Sequence, residues 1–491
     1  MDGAADATTL ELDLPPEALP PLLRLPAVAG SRAGRAQSQA LRIVWHDTAA
    51  ASLAGDGLAL AELRDGWRLE RLRPDGSGNW PPATPAPVLA RAGTAAELHP
   101  PANLVPVAAF EGRERTLPLG PEPVTIRVLE GVLRAVAQEA PCCRIRLSGP
   151  PAQVAALADR LAEDAPLAVP RDGIAAVAIG MARGERPAHR TGAPHVTAGM
   201  DVSTALAAII SHLTDVIAHH ATGAAAGEAQ AIHQMRVALR RLRSAIVVFR
   251  RAADCPGLQH AAAGLKASAA VLGEARDWDV FLAETVPPVV SVFPEDPRVA
   301  GLITAAGRRR RDAHAALRAY LAEPGFRRLL LSLAALPLLR PWTGQEDPDH
   351  DPERAELLAL PVADYATRRL ARMRDRLLAE TEAIETLSPP AMHAVRKRCK
   401  KLRYACEFFE DLYPSKPARR FTRRLARLQD DLGTLNDAAA AASLTGRLGG
   451  GAARAFGVGV VQGFVAAHAA RARGDLARRR EAWRRQPAFW S

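Results

Sequence analysis

The feature that most constrains this chain is a repeat in its C-terminal half, displaced by 160 residues. The displacement aligns His233 with His393, and it aligns LGEARD (272–277) with LGTLND (432–437) without a gap. An ungapped match over 45 residues indicates two copies of one structural unit, because related helices keep their apolar faces in the same register. We therefore expect the same fold in repeat 1, about 201–340, and in repeat 2, about 355–491.

Apolar residues recur with the period of an α-helix from residue 201 onward. This pattern predicts helices at 201–221, 229–252, 257–285, 297–322, 325–336, 354–386, 391–411, 417–446 and 453–484. The polar segment 341–354 separates the two repeats. The C-terminal part is therefore predicted to be all-α and built from helical bundles.

Residues 1–192 show a different pattern, in which apolar and polar residues alternate between turns rich in Pro and Gly. Alternation with a period of two predicts β-strands. The expected strands lie at 9–14, 40–45, 57–63, 67–73, 123–131, 132–138 and 142–149, and two helices are expected at 15–25 and 150–164. The sequence thus predicts an α+β protein of two domains: an antiparallel β-rich domain at 1–192, a linker at 193–200 and a helical domain at 201–491.

The net charge of +11 is unevenly distributed along the chain. Residues 1–195 contain 20 arginines, no lysine and 22 acidic residues, whereas residues 196–491 contain 44 basic and 31 acidic residues. Such an excess of positive charge in one half predicts a polyanionic partner. Nucleic acid, inorganic polyphosphate and an anionic membrane surface are the candidates.

One helix of each repeat collects its cations on a single face. On a helical wheel of about 100° per residue, four basic side chains share an arc in each copy. They are His233, Arg236, Arg240 and Arg243 in repeat 1, and His393, Arg396, Lys400 and Arg403 in repeat 2. The opposite face is apolar in both copies, so each helix is expected to bury that face and to present the other, which we call a basic stripe.

A solvated helix surface would explain one basic stripe by itself, because exposed charge is usual on helices. Neither stripe contains an acid, however, and like charges four residues apart destabilise a helix by about 0.2–0.5 kcal/mol per pair. The same repulsion in both copies favours an anion that binds the stripes. The two histidines fit best as donors to phosphate oxygens, since a second metal ligand of suitable spacing is lacking.

The aligned motifs of the two repeats end in Asp277 and Asp437. Neither aspartate is accompanied by a nucleophile or a complementary base, so we expect both to orient neighbouring cations rather than to catalyse. Other basic residues would widen the cationic surface: Arg241, Lys397, Lys401, Arg308, Arg311, Arg420, Arg424 and Arg427.

The five cysteines have neither the spacing of a disulfide framework nor that of metal ligands. The first residues lack the basic and apolar segments of a signal peptide, and apolar runs such as 329–339 are too short to span a bilayer. We therefore expect a cytoplasmic protein that binds no metal and no cofactor.

The segments HQMRVALRRLRSAIVVFR, LGEARDWDVF, HAVRKRCKKLRYACEFFEDLYP and LQDDLGTLND, with Trp483 and Trp490, resemble the conserved-histidine α-helical domain, CHAD. The resemblance covers about 200–491. It implies two four-helix bundles related by a pseudo-twofold axis, with a basic groove that binds inorganic polyphosphate. It also implies that both basic stripes contact the ligand, together with Lys266, whose counterpart in repeat 2 is Ala426.

The N-terminal part is similar in layout to the CYTH domain, the fold of the triphosphate tunnel metalloenzymes. LELDLPPEALPPLL, VWHDT (44–48) and GLALAELRDGWRLERL carry this resemblance. It implies a β-tunnel in which carboxylates hold Mg²⁺ or Mn²⁺ while cations hold a triphosphate. The opening ExExK motif lacks its lysine, and Arg144-x-Arg146 stands where the family has Glu-x-Glu. We therefore expect a degenerate domain without hydrolase activity.

The expected function is non-enzymatic binding of inorganic polyphosphate, which would bring the protein to polyphosphate granules and their proteins. One alternative is a residual metal-dependent triphosphatase in the N-terminal domain. The other is a scaffold that binds duplex nucleic acid nonspecifically or assembles granule proteins. Aromatic residues are not interleaved with the stripes, which argues against single-stranded nucleic acid, since its bases need stacking platforms.

Overall fold

The computed structural model describes residues 8–72, 83–99, 103–120, 123–136, 138–185, 191–344, 352–448 and 452–490. The chain forms two compact units. The first unit contains residues 1–192, 210–219 and 322–341, and the second contains residues 193–209, 220–321 and 342–491. The predicted fold class is confirmed, with an antiparallel sheet in the N-terminal part and helices in the C-terminal part. The predicted boundary at 192 and the linker at 193–200 stay predictions.

Eight antiparallel strands form one curled sheet, a half-barrel, in the first unit. The strands are β1 (Thr8–Asp13), β2 (Gln37–Thr48), β3 (Leu58–Leu63), β4 (Gly66–Arg71), β5 (Val88–Ala92), β6 (Leu104–Leu119), β7 (Val124–Ala135) and β8 (Gln138–Gly149). Their order across the sheet is β1-β8-β7-β6-β2-β3-β4-β5. Five of the seven neighbouring pairs in this order are also consecutive in sequence.

Between residues 8 and 185, the described residues also form five α-helices: α1 (Leu19–Arg24), α2 (Pro26–Ala29), α3 (Ser52–Gly55), α4 (Pro151–Asp164) and α5 (Ile174–Arg183). Helix α5 packs on one face of the sheet, where its Ile174 and Ile179 join Trp45, Phe110 and Leu129 in a buried cluster. We call this the inner face of the half-barrel. Helix α4 contacts β1 and β8, and apolar residues of those strands are buried there.

The remaining helices are α6 (Val202–Ala225), α7 (Ala229–Ala253), α8 (Pro256–Val280), α9 (Pro287–Val292), α10 (Pro297–Ala322), α11 (Pro324–Leu339), α12 (Pro352–Ala359), α13 (Val362–Glu380), α14 (Pro389–Phe409), α15 (Ser415–Gly446) and α16 (Ala452–Arg484). The first residues of α6 and α13 are 160 apart, and so are those of α7 and α14. The structure therefore preserves the repeat, although the start signals differ: Ser388 caps α14, whereas the side chain of Glu228 does not cap α7. Asp201 accepts a hydrogen bond from the Thr204 amide at 2.7 Å.

Three details of the sequence prediction were wrong. The helix predicted at 354–386 is two helices, α12 and α13, because Pro361 lacks an amide hydrogen and cannot continue a helix. The segments 123–131 and 132–138 belong mainly to one strand, β7. Strands β5 and β6 were not predicted, although β6 has 16 residues. Part of the inner face of β6 is polar, with Glu114 and Thr116, so its apolar alternation is weak.

Glycines Gly112 and Gly131 are direct partners on β6 and β7. A Cβ atom on either one would lie 2.7 Å from the Cα of the other, closer than such atoms approach in folded proteins. We therefore expect Gly112→Ala to separate these strands and to lower the free energy of unfolding by about 1–3 kcal/mol.

The matched control for this test is Gly55→Ala at the end of α3, where a Cβ would meet no atom within 4 Å. Reduced freedom of the unfolded chain is expected to leave that variant unchanged or stabilised by up to about 1 kcal/mol. Both free energies are measured by urea unfolding followed by far-UV circular dichroism. Equal stability of the two variants would contradict the close approach of β6 and β7.

Candidate anion-binding site

Helices α7 and α14 contact each other, which places the two basic stripes in one region of the second unit. The rings of Phe249 and Phe409 lie 5.8 Å apart. The apolar face of each helix is buried: Ile232, Met235, Leu239 and Leu242 on α7, and Met392, Val395, Cys399 and Leu402 on α14. Because those faces are used in the core, the basic residues lie on the remaining sides of the helices.

Six basic side chains from three helices form a group that we call the central cluster. They are His233, Arg236 and Arg240 on α7, Arg276 on α8, and Arg396 and Lys400 on α14. Burial, followed by the charges of Arg396, Arg240 and Arg236, lowers the pKa of Lys400 to about 7. An ammonium group that loses its proton this readily lies in an unusually positive and poorly hydrated place.

His233 lies in the same positive electrostatic field as Lys400. Burial and the charges of Arg276, Arg240 and Arg236 lower the pKa of His233. The imidazole is therefore largely neutral at pH 7 in the free protein, and it is able both to donate and to accept a hydrogen bond.

Carboxylates lie at matching places beside the cluster. Asp277 Oδ1 is 3.4 Å from Arg236 Nη2, and Asp437 Oδ1 is 3.9 Å from Arg396 Nη2. These related pairs hold one arginine of each stripe. In the part of the chain that the structure describes, neither Arg240 nor Lys400 forms an ion pair, so the centre keeps an excess of positive charge.

Two donors of the central cluster have no acceptor among the protein groups that the structure describes. The Nε atoms of Arg240 and Arg396 are both buried in this way. Leaving a buried donor unsatisfied costs about 1–3 kcal/mol, and the cost is higher for a charged group. An anion that accepts from both arginines would remove this cost.

Gly273, in the LGEARD segment (272–277) of repeat 1, makes room for the guanidinium of Arg236. A Cβ atom at this position would lie 2.5 Å from Arg236 Nη1. The absence of a side chain on α8 therefore lets the guanidinium of Arg236 lie against that helix, beside Asp277. The matching Gly433 has no atom within 4 Å of such a Cβ, so this role belongs to one repeat.

Some predicted site residues lie in a separate ion-pair network. Arg241 Nη2 and Arg403 Nη1 each donate to Glu407 at 2.8 Å, and Arg403 Nε donates to Gln429 at 2.9 Å. Glu407 therefore neutralises two of the predicted cations. Arg403 belongs to the second basic stripe, yet its guanidinium is used to hold α14 against α15.

A second group of cations surrounds Lys401. Burial, followed by the charges of Arg398, Lys397 and Arg243, lowers the pKa of Lys401. This group contains three predicted residues, Lys401, Lys397 and Arg243, and the charges that act most strongly on Lys400 come from other residues. The structure thus distributes the predicted cations over two groups and one ion-pair network.

The other predicted positions are mostly exposed on the second unit: His393, Lys266, Arg308, Arg311, Arg420 and Arg427. Arg424 is half-buried and donates to the Ala482 carbonyl at 2.7 Å. Sequence reasoning missed Arg276, which lies inside the LGEARD motif next to Asp277. The repeat hid it, because the corresponding residue of LGTLND is Asn436 and is not basic.

The half-barrel of the first unit contains a cavity of about 1170 Å³. A tunnel metalloenzyme would hold a divalent cation in such a cavity with Glu11 as one ligand. Here Arg144 Nη1 donates to Glu11 Oε1 at 2.5 Å, and Arg146 Nε donates to Glu11 Oε2 at 2.6 Å. Among the described residues no three His, Cys, Asp or Glu side chains are grouped as metal ligands. The residues present therefore do not fit a divalent cation.

Comparisons with known proteins identify a family for part of the helical region. Residues 207–445 match the CHAD domain model. The CHAD domain from the plant Ricinus communis is similar in structure, with 28% identity, a TM-score of 0.53, and coverage of 62% of this chain and 98% of that one. PptA from Streptomyces chartreusis aligns with 16% identity and a TM-score of 0.44, over 57% of this chain and 99% of that one. No curated protein matches.

One described helix, α6, is long and apolar enough to cross a membrane by length and composition. In the most apolar 18-residue stretch of this helix, 83% is buried inside the protein. Core helices of proteins often have these properties, so the helix is weak evidence for a membrane span.

The ammonium group of Lys400 is expected to titrate near pH 7. Its pKa is expected to rise in Arg240→Met, because that substitution removes a neighbouring positive charge. The chain has five lysines, so ¹³C-labelled lysine gives a simple NMR spectrum in which Lys400→Arg assigns the signal. The control is Arg471→Met, an exposed arginine of α16. An unshifted titration near pH 10 would contradict the burial and crowding of Lys400.

Proposed function

The helical part of this chain contains a CHAD domain, a family linked to polyphosphate binding, and we propose that its central cluster binds inorganic polyphosphate. The observation that carries this proposal is the pair of buried, acceptor-free Nε donors on Arg240 and Arg396. They belong to different repeats, so a chain of phosphates that contacts both would use the duplicated helices together.

The chemistry of the central cluster suits phosphate oxygens. A guanidinium group donates two parallel hydrogen bonds to a phosphate, and such charge-assisted bonds are stronger than neutral ones. Polyphosphate carries negative charge along its whole length and has no bases. None of the six members of the central cluster is a Phe, Tyr or Trp, in keeping with a ligand that does not stack.

Binding without catalysis is the second part of the proposal. The central cluster offers cations and two orienting aspartates, and it presents no nucleophile paired with a base. The rival triphosphatase would act in the half-barrel, where Glu11 is already bound by Arg144 and Arg146. The protein is accordingly proposed to be cytoplasmic and to collect on polyphosphate granules, with granule proteins as further partners.

Long-chain polyphosphate is expected to bind the protein, and Arg240→Gln is expected to weaken binding about tenfold or more, since it removes a charge-assisted hydrogen bond of about 1.5–3 kcal/mol. The affinity is measured by fluorescence anisotropy of labelled polyphosphate. Affinity should fall steeply with added salt, because bound cations release counterions from the polyanion.

The matched control for this binding test is Arg471→Gln, which makes the same change of charge on α16. Duplex DNA serves as the competitor at one salt concentration. Equal weakening by both variants, or equal displacement by DNA, would contradict polyphosphate binding at the central cluster and would favour nonspecific binding of polyanions.

The affinity for polyphosphate is expected to fall as the pH rises above 7. Below that pH Lys400 is already protonated in the free protein. Above it, binding must take up a proton, because the bound anion raises the pKa of this lysine. The loss approaches about tenfold per pH unit until the pKa of the complex is reached.

Lys400→Arg is the control for this pH dependence, because arginine stays charged throughout the range. The variant is expected to bind with little change between pH 6 and pH 9. Proton uptake is measured independently by calorimetry of the wild type in buffers of different ionisation enthalpy. A wild-type affinity as flat as that of Lys400→Arg would contradict the linkage.

A further inference from the structure

A π-helical turn follows helix α8 in repeat 1, close to the central cluster. It spans Phe281–Thr285, and the amide of Val286 donates to the Phe281 carbonyl at 3.0 Å, five residues back. Pro287 and Pro288 come next, and neither can supply the following α-helical bond, because proline has no amide hydrogen. The five-residue step keeps both Phe281 and Val286 buried. Turns of this kind are rare and occur frequently at functional sites.

Repeat 2 has no such turn at the corresponding place. The displacement of 160 residues maps Phe281–Thr285 onto 441–445, which lie within the α-helix α15. It also maps Glu284 onto Leu444 and Arg276 onto Asn436. The acid of the π-turn and the arginine of the central cluster therefore occur together in one repeat, and both are missing from the other.

The π-turn holds the carboxylate of Glu284 beside Arg276. Glu284 Oε1 lies 3.4 Å from Arg276 Nη2, and the side chain of Glu284 is 64% exposed. The contact is loose, because charge-assisted hydrogen bonds of this type are usually about 2.7–2.9 Å long. Exposed ion pairs contribute little to stability, so a ligand that breaks this pair leaves the fold intact.

The charge of Glu284 also reaches residues of both repeats. It opposes the lowering of the His233 pKa, which burial and the neighbouring arginines cause. Burial raises the pKa of Asp437, and the charges of Asp277 and Glu284 add to this effect. His233 belongs to repeat 1 and Asp437 to repeat 2, so the carboxylate lies on the side of the cluster that both repeats border.

We propose that Glu284 is an internal competitor of the bound anion: its carboxylate occupies Arg276 in the free protein, and a phosphate group of the ligand displaces it. This inference rests on the proposed binding of polyphosphate by the central cluster, and it names a residue that limits the affinity of that site. The phosphate prevails because it accepts two parallel hydrogen bonds from one guanidinium and is attracted by the other cations of the cluster. The released carboxylate turns to solvent, to which its side chain is already largely exposed.

The first test measures the affinity of the full chain for labelled long-chain polyphosphate by fluorescence anisotropy. Glu284→Gln is expected to raise this affinity about two- to fivefold, the range that corresponds to the loss of one exposed ion pair. The measurement is made at about 0.15 M salt, where charges more than about 8 Å apart are largely screened. The gain then reports on the contact with Arg276 rather than on distant repulsion.

The matched control is Glu356→Gln, which makes the same chemical change at an exposed position of α12. It is expected to leave the affinity unchanged. An equal gain in both variants would be an effect of net charge and would overturn the proposal. Thermal unfolding of each variant shows whether the helical unit is still folded.

A second test asks whether Glu284 acts through Arg276. Arg276→Gln is expected to weaken polyphosphate binding by itself, and adding Glu284→Gln to it is expected to change the affinity no further, because the carboxylate then has no guanidinium to occupy. If Glu284→Gln raises the affinity as much in this background as in the wild type, the carboxylate only repels the ligand, and the proposed competition is wrong.

Failure of this inference is distinguishable from failure of the proposed function. Absence of polyphosphate binding, or unchanged binding by Arg240→Gln, contradicts the binding site itself. Binding that Arg240→Gln weakens and Glu284→Gln leaves at the wild-type level overturns only the role of Glu284.

Discussion

The structure depends on one unfavourable interaction, the crowding of like charges where α7 and α14 meet. Each helix buries its apolar face, so the basic residues of both helices are left on adjoining sides. Burial, followed by the charges of Arg396, Arg240 and Arg236, then lowers the pKa of Lys400 to about 7. A fold selected for stability alone would separate these groups. A site for a polyanion benefits when its cations are already in place before the ligand binds.

The two units treat positive charge in different ways. In the helical unit, acids flank the central cluster at Asp277 and Asp437, and the centre itself is left unpaired. In the half-barrel, Glu11 is enclosed by Arg144 and Arg146, so cation and anion are combined inside the protein.

The helices and the repeat could be predicted because their signals are local. Apolar residues at helical spacing, caps and prolines act within a few residues, and the displacement of 160 residues survives in the first residues of α6, α7, α13 and α14. Strand β6 was missed because residues such as Glu114 line a cavity, which breaks the apolar alternation that a core-facing strand shows. Helix wheels also placed the stripe residues on one face of each helix.

What a wheel does not show is the surroundings of each cation. Arg403 has the spacing of a ligand contact, yet Glu407 and Gln429 from outside the stripe occupy its guanidinium. Arg276 has no basic counterpart in repeat 2, yet the packing of α8 on α7 brings its charge to His233. The space for Arg236 beside Gly273 likewise depends on how closely two helices approach.

The sequence by itself determined the fold class, the repeat, and the face of each helix that carries charge, because these follow from local spacing and composition. Only the tertiary structure decided which cations share one field, which are neutralised by a distant carboxylate, and which buried donors are left without an acceptor. Those properties depend on distances between residues far apart in the chain. Coulomb interactions and desolvation are set by such distances and by burial, and neither is encoded in the spacing of one helix.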